Sequence, residues 1–96
     1  MSKKEAYKQK IEAELELAQA KLGKLKAQAK SSSAGARINY AEQIQKLEQK
    51  FDATKTKLKE LGEASDYAWE DLKDGVESAW GALSTAIRKA AAKFKG

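Results

Sequence analysis

The chain contains no cysteine, no proline and no histidine in its 96 residues. Without cysteine there is no disulfide to staple the fold and no thiol nucleophile or thiolate ligand, a composition that fits a reducing, cytoplasmic setting. Without histidine, most metal sites, most general-base designs and the common nucleophile arrangements lose a component. No Gly-rich phosphate loop is present either. Without proline nothing forces a helix to stop, so breaks must come from serine and glycine. There is also no apolar run near the 18 residues of a membrane span. The start, Met1-Ser2-Lys3-Lys4-Glu5, has basic residues but no apolar segment behind them, which argues against a signal peptide. These exclusions predict a non-enzymatic protein with no catalytic residues, no metal site and no cofactor.

What remains is helical. Alanine, lysine, glutamate, glutamine and leucine dominate, the residues that lose least free energy in a helix, and no stretch alternates as a strand does. An apolar share of 42% allows one modest core, so residues 1–96 read as a single all-α domain.

Two hydrophobic periods organise the chain. Ile11, Leu15, Ala18, Leu22, Leu25 and Ala29 form a heptad seam, and Tyr40, Ile44, Leu47, Phe51, Thr54, Leu58 and Leu61 form a second one. The last third instead repeats every eleven residues. Trp69 stacks over Trp80 and Ala91, Leu72 over Leu83 and Phe94, and Val76 over Ile87. Eleven residues make three turns at 3.67 residues per turn, so this period keeps an apolar stripe nearly straight along a helix. The stripe Trp69, Leu72, Val76, Trp80, Leu83, Ile87 and Phe94 is the candidate association or core surface. Stripes at helical spacing are more often core than ligand surface.

Two breaks separate these segments. Ser31-Ser32-Ser33-Ala34-Gly35-Ala36 is the weakest helix in the chain, because serine hydroxyls compete for backbone hydrogen bonds and glycine loses extra entropy. At the second break, Gly62 is placed to take a left-handed C′ position and Ser65 or Asp66 to cap the next helix. Helices are therefore predicted at about 3–30, 37–61 and 65–95, packed as an antiparallel three-helix bundle. The alternative keeps residues 3–61 as one helix. That chain would form a long coiled-coil hairpin that must oligomerise to bury both seams.

Charge is uneven. Residues 1–64 carry 14 Lys/Arg against 9 Asp/Glu, whereas residues 65–96 are balanced at 5 of each. In the last segment Asp66, Glu70, Asp71, Asp74 and Glu77 precede Arg88, Lys89, Lys93 and Lys95, the order that complements a helix dipole. The carboxylate pairs Glu12/Glu16, Glu70/Asp74 and Asp71/Asp74 share helix faces, and read as surface charge rather than a metal site. Lysines dominate the basic balance and glutamates interrupt it, so sequence-specific nucleic-acid binding is not indicated. Self-association, an unidentified protein partner, or a lipid or granule surface met by the Trp-bearing helix are the partner classes left open.

The segments ELELAQAKLGKLKAQAK, RINYAEQIQKLEQKFDATKTKLKELGEAS and DYAWEDLKDGVESAWGALSTAIRKAAAKF resemble small bacterial coiled-coil proteins of the stress-response or apolipoprotein-like kind. The most specific part is WEDLKDGVESAW, Trp69 to Trp80. The resemblance implies a helical, cytoplasmic, stress-linked protein without a known catalytic site. The triple serine and Gly35 depart from the smooth helix expected of such a protein.

Overall fold

Three helices account for nearly all of the chain in the computed structural model, which describes residues 1–94: α1 (Lys3–Lys30), α2 (Ala34–Glu63) and α3 (Trp69–Phe94). Among the described residues there is no strand. They form a bundle 51 Å long and 17 to 19 Å across in which every pair of helices touches. Each helix starts on a serine. Ser2 lies extended before α1 and its hydroxyl accepts from the Glu5 amide at 3.1 Å, the Ser-x-x-Glu pattern of a capping box. Ser33 does the same for α2, accepting from Ala36 N. Ser65 accepts from Ala68 N at 3.2 Å and its carbonyl takes the Trp69 amide, so a short turn over residues 66–68 leads into α3.

The serine-rich break is a turn, so the long-hairpin alternative is not adopted. Ser31 Oγ donates to the Gln28 carbonyl at 3.0 Å and Ser32 Oγ to the Ala29 carbonyl at 2.6 Å. The Ser31 hydroxyl thus gives a last-turn carbonyl of α1 a donor, and the Ala29 carbonyl, which also accepts the Ser32 amide at 3.2 Å, gains a second one. The turn is tighter than expected, occupying residues 31–33. Gly35 and Ala36 already belong to α2, which runs from 34 rather than 37 and to 63 rather than 61.

The second break differs in mechanism. Gly62 does not adopt a left-handed conformation; no glycine among the described residues has positive φ. Helix α2 continues through it to Glu63, and Ala64 leaves in an extended conformation with φ −74° and ψ 155°. Lys4 Nζ, arriving from α1, donates to the Ala64 carbonyl at 2.8 Å. A cation from a neighbouring helix thus meets the first carbonyl beyond the C-terminus of α2, the end of a helix that favours positive charge. The end of the Lys8 side chain lies against Gly62, where an added Cβ would stand 3.2 Å from Lys8 Cε. Helix α3 starts four residues later than the predicted 65, and its predicted end at Lys95 falls outside the described residues.

Contacts at each end settle the topology. Lys8 meets Gly62 and Lys26 pairs with Glu48, so α1 and α2 run antiparallel. Tyr40, early in α2, stacks on Phe94 at the end of α3, with ring centroids 4.0 Å apart. Tyr7 meets Trp69, both at the start of their helices, so α1 and α3 run parallel. The bundle is up-down-up, as three helices of similar length with short connections require.

Both heptad seams point inward. All six members of the first are buried, as are Leu47, Phe51, Thr54, Leu58 and Leu61 of the second, with Tyr40 and Ile44 packed against them. Thr54 is a polar residue in the core with no exposed surface. Its hydroxyl donates to the Lys50 carbonyl one turn back at 2.8 Å, so no polar atom is stranded.

Candidate functional site

The eleven-residue stripe is the face of α3 turned toward α1 and α2. Val76 and Leu83 have no exposed surface, and Trp69, Ile87 and Phe94 are buried. Leu72 and Trp80 sit at the edges of the stripe and are half-buried against the same core. Ala90, which stands eleven residues after Ala79 and twenty-two after Ala68 in the same repeat but outside the bulky stripe, is buried as well. It lies seven residues after Leu83, the spacing that returns a helical residue to the same face.

The structure brings a polar cluster to one end of this stripe that periodicity did not single out. Tyr7, on α1, donates its hydroxyl to Glu77 Oε1 on α3 at 3.0 Å. Its ring stands 5.9 Å from that of Trp69, tilted by 39°, and Lys73 Nζ lies 5.1 Å above it, within cation–π range. Burial first, and then the hydrogen bond to the Glu77 carboxylate, push the Tyr7 phenol well above its usual value. With Lys4 bound to Ala64 O, the first two turns of α1 clamp the α2–α3 connection from both sides. One signal for Tyr7 was present in the sequence, since it precedes Ile11 by four residues and extends the first seam by one turn.

Between α1 and α3 the seam is shallow. A depression of about 170 Å³ there is lined by Leu17 and Lys21 on one side and by Trp80 and Arg88 on the other. Leu17 is 68% exposed, so this edge carries one open apolar side chain beside a half-buried tryptophan.

A long concavity lies between α1 and α2, and no α3 residue lines it. Its upper part, about 540 Å³, has Leu15, Phe51 and Leu58 as a floor and lysines and glutamates on both rims. A lower part of about 400 Å³ continues past the Lys26–Glu48 ion pair toward Lys30 and Arg37. These floor residues are nearly all buried already, so the furrow is a charged trough with a thin apolar bottom.

The surface carboxylate pairs remain exposed, and no group of three or more metal-ligating side chains comes together among the described residues. Arg88, Lys89 and Lys93 face solvent on the last turns of α3, while Lys95 lies outside the described residues. No helix of the described residues is long and apolar enough to cross a membrane. Comparison with protein-family models, curated proteins and solved structures finds no match to this chain.

Proposed function

We propose that this chain is a non-enzymatic helical structural and interaction protein that acts through the outer surface of a closed bundle. The observation that carries the reading is the direction of the α3 stripe. Its large apolar side chains contact α1 and α2, so the surface best suited to a lipid interface is occupied within the molecule. What faces outward is a charged furrow and mixed-sign helix faces, which can select and steer a partner of complementary charge. A cytoplasmic, stress-associated role is part of the proposal, supported by the cysteine-free composition and by the resemblance of the Trp69–Trp80 block.

A second reading is favoured by the α1–α3 edge. Exposed Leu17 and half-buried Trp80 lie beside Lys21 and Arg88, a small apolar patch with cations at its border. In this reading α3 leaves the bundle and lays its apolar face on an anionic lipid or granule surface. Titration with vesicles of anionic phospholipid separates the two. The interaction reading expects tryptophan emission to stay unchanged as vesicles are added. A blue shift with saturation would overturn it in favour of lipid-driven opening.

A further inference from the structure

We propose that the α1–α2 furrow is the docking surface for a second copy of this chain, seated face to face about a two-fold axis parallel to the bundle. This deepens the interaction reading and rests on it. The argument is the signs of charge along the two rims. Lys26 pairs with Glu48 at 2.9 Å and Lys8 lies against Gly62, which fixes the antiparallel register of α1 and α2. In that register Lys8 stands across from Glu63, Glu12 across from Lys59, and Glu16 across from Lys55. Along the upper trough and at Lys26–Glu48 each rim is therefore opposite to the other in sign, whereas at the lower end Lys30 and Arg37 are both cationic. Yet among the described residues the ion pair formed within 4 Å is Lys26–Glu48, and the three upper pairs face each other over an open trough.

A two-fold axis along the bundle places α1 of one copy over α2 of the other at the same height. Every opposition across the trough is then repeated between the chains: Glu12 and Glu16 of each copy meet Lys59 and Lys55 of the other, and Lys8 meets Glu63. An isologous interface requires this self-complementarity, and a rim of one sign, or one patterned without regard to height, would not supply it. The face is one side of a bundle 51 Å long and 17 to 19 Å across, on the scale of the ~800 Å² per partner of a standard interface. Because the floor residues are nearly buried before docking, attraction comes mainly from the rims. The association is accordingly salt-sensitive.

The test is molar mass by light scattering over a concentration series up to about 1 mM, the range in which weak complexes still form. It is repeated from about 0.01 M to about 1 M salt, which shortens the screening length from ~30 Å to ~3 Å. At low salt the mass should rise from 10.5 kDa toward twice that value, and at high salt it should fall back. A mass that stays at 10.5 kDa at every concentration and salt overturns the proposal.

Two charge-reversed proteins locate the interface. Glu12→Lys with Glu16→Lys should be monomeric, and so should Lys55→Glu with Lys59→Glu, each checked for folding by circular dichroism. Mixing them should restore a dimer containing one chain of each, since both inter-chain oppositions are re-formed. The like charges that each variant carries across its own trough persist in the mixture, so the rescue reports contact between chains rather than repaired folding. A dimer that survives either reversal, or a mixture that stays monomeric, places the interface elsewhere and overturns the proposal. Neither result bears on vesicle binding, which is read from Trp69 and Trp80 on α3, outside this face.

Discussion

The two outward seams of α1 make an instructive pair. Toward α2 it borders a furrow of about 540 Å³ with charged rims, and toward α3 a depression of about 170 Å³ edged by Leu17 and Trp80. The difference follows from what each neighbour contributes. Helix α3 brings tryptophan, leucine, isoleucine and phenylalanine on a straight stripe that fills space, whereas the outer edge of α2 offers lysines and glutamates that stand off in water. A buried face and an open, charged one thus lie on different sides of the same helix.

Substitutions in the core should sharpen that contrast most. Trp69→Ala and Leu83→Ala remove side chains that are 7% and 0% exposed. Each should cost about 3 to 5 kcal/mol in urea unfolding, within the range for large-to-small core changes. Trp80→Ala should cost clearly less than Trp69→Ala, because Trp80 lies at the edge of the stripe. Leu17→Ala should move stability by no more than about 0.5 kcal/mol, as surface changes do. Equal losses at Trp80 and Trp69 would erase the distinction drawn between edge and core.

A smaller effect is expected at the clamp. Tyr7→Phe deletes the hydroxyl given to Glu77 while keeping the ring on Trp69, and should cost about 1 to 2 kcal/mol. The sign of its pH dependence follows from the raised phenol. A group held neutral in the fold contributes fully below its unfolded pKa, near 10, and that contribution is lost as pH rises beyond it. The difference in stability between the parent protein and Tyr7→Phe should therefore be constant up to about pH 9 and shrink above 10. A difference that grows with alkaline pH would contradict the hydrogen bond to Glu77.

The smallest changes fall on exposed positions. Gly81 lies in the interior of α3 with open space where a Cβ would go, so Gly81→Ala should stabilise the protein by up to about 1 kcal/mol. Lys26→Ala breaks an ion pair whose two side chains are nearly half exposed, and about 0.2 to 1 kcal/mol is the expected loss.

Much of this fold was legible in the residues, and the reasons are physical. The heptad and eleven-residue spacings pick out residues by the face they share, and burial follows face. The Ser31–Ser33 turn was readable because hydroxyls that can take backbone carbonyls were concentrated there. Gly62 misled because a glycine near a helix end suggests a left-handed cap, whereas α2 continues through it to Glu63, and the Lys4 that meets Ala64 just beyond is 60 positions away in sequence. The Tyr7–Glu77 contact spans 70 positions and required knowing that α1 and α3 run parallel. The mirror-signed rims were hidden for the same reason: the charges could be read, but their heights could not be matched until the register of α1 on α2 was known.

The central claim is that α3 is closed on the bundle with its stripe inward and Trp80 at the edge. Acrylamide quenching of two single-tryptophan proteins, Trp80→Phe and Trp69→Phe, tests it directly. Trp69, left alone in the first, should be strongly protected, and Trp80, left alone in the second, should be quenched several-fold more readily, with both proteins folded. Equal and ready quenching of the two tryptophans in folded protein would mean that α3 stands away from α1 and α2, and would contradict the account.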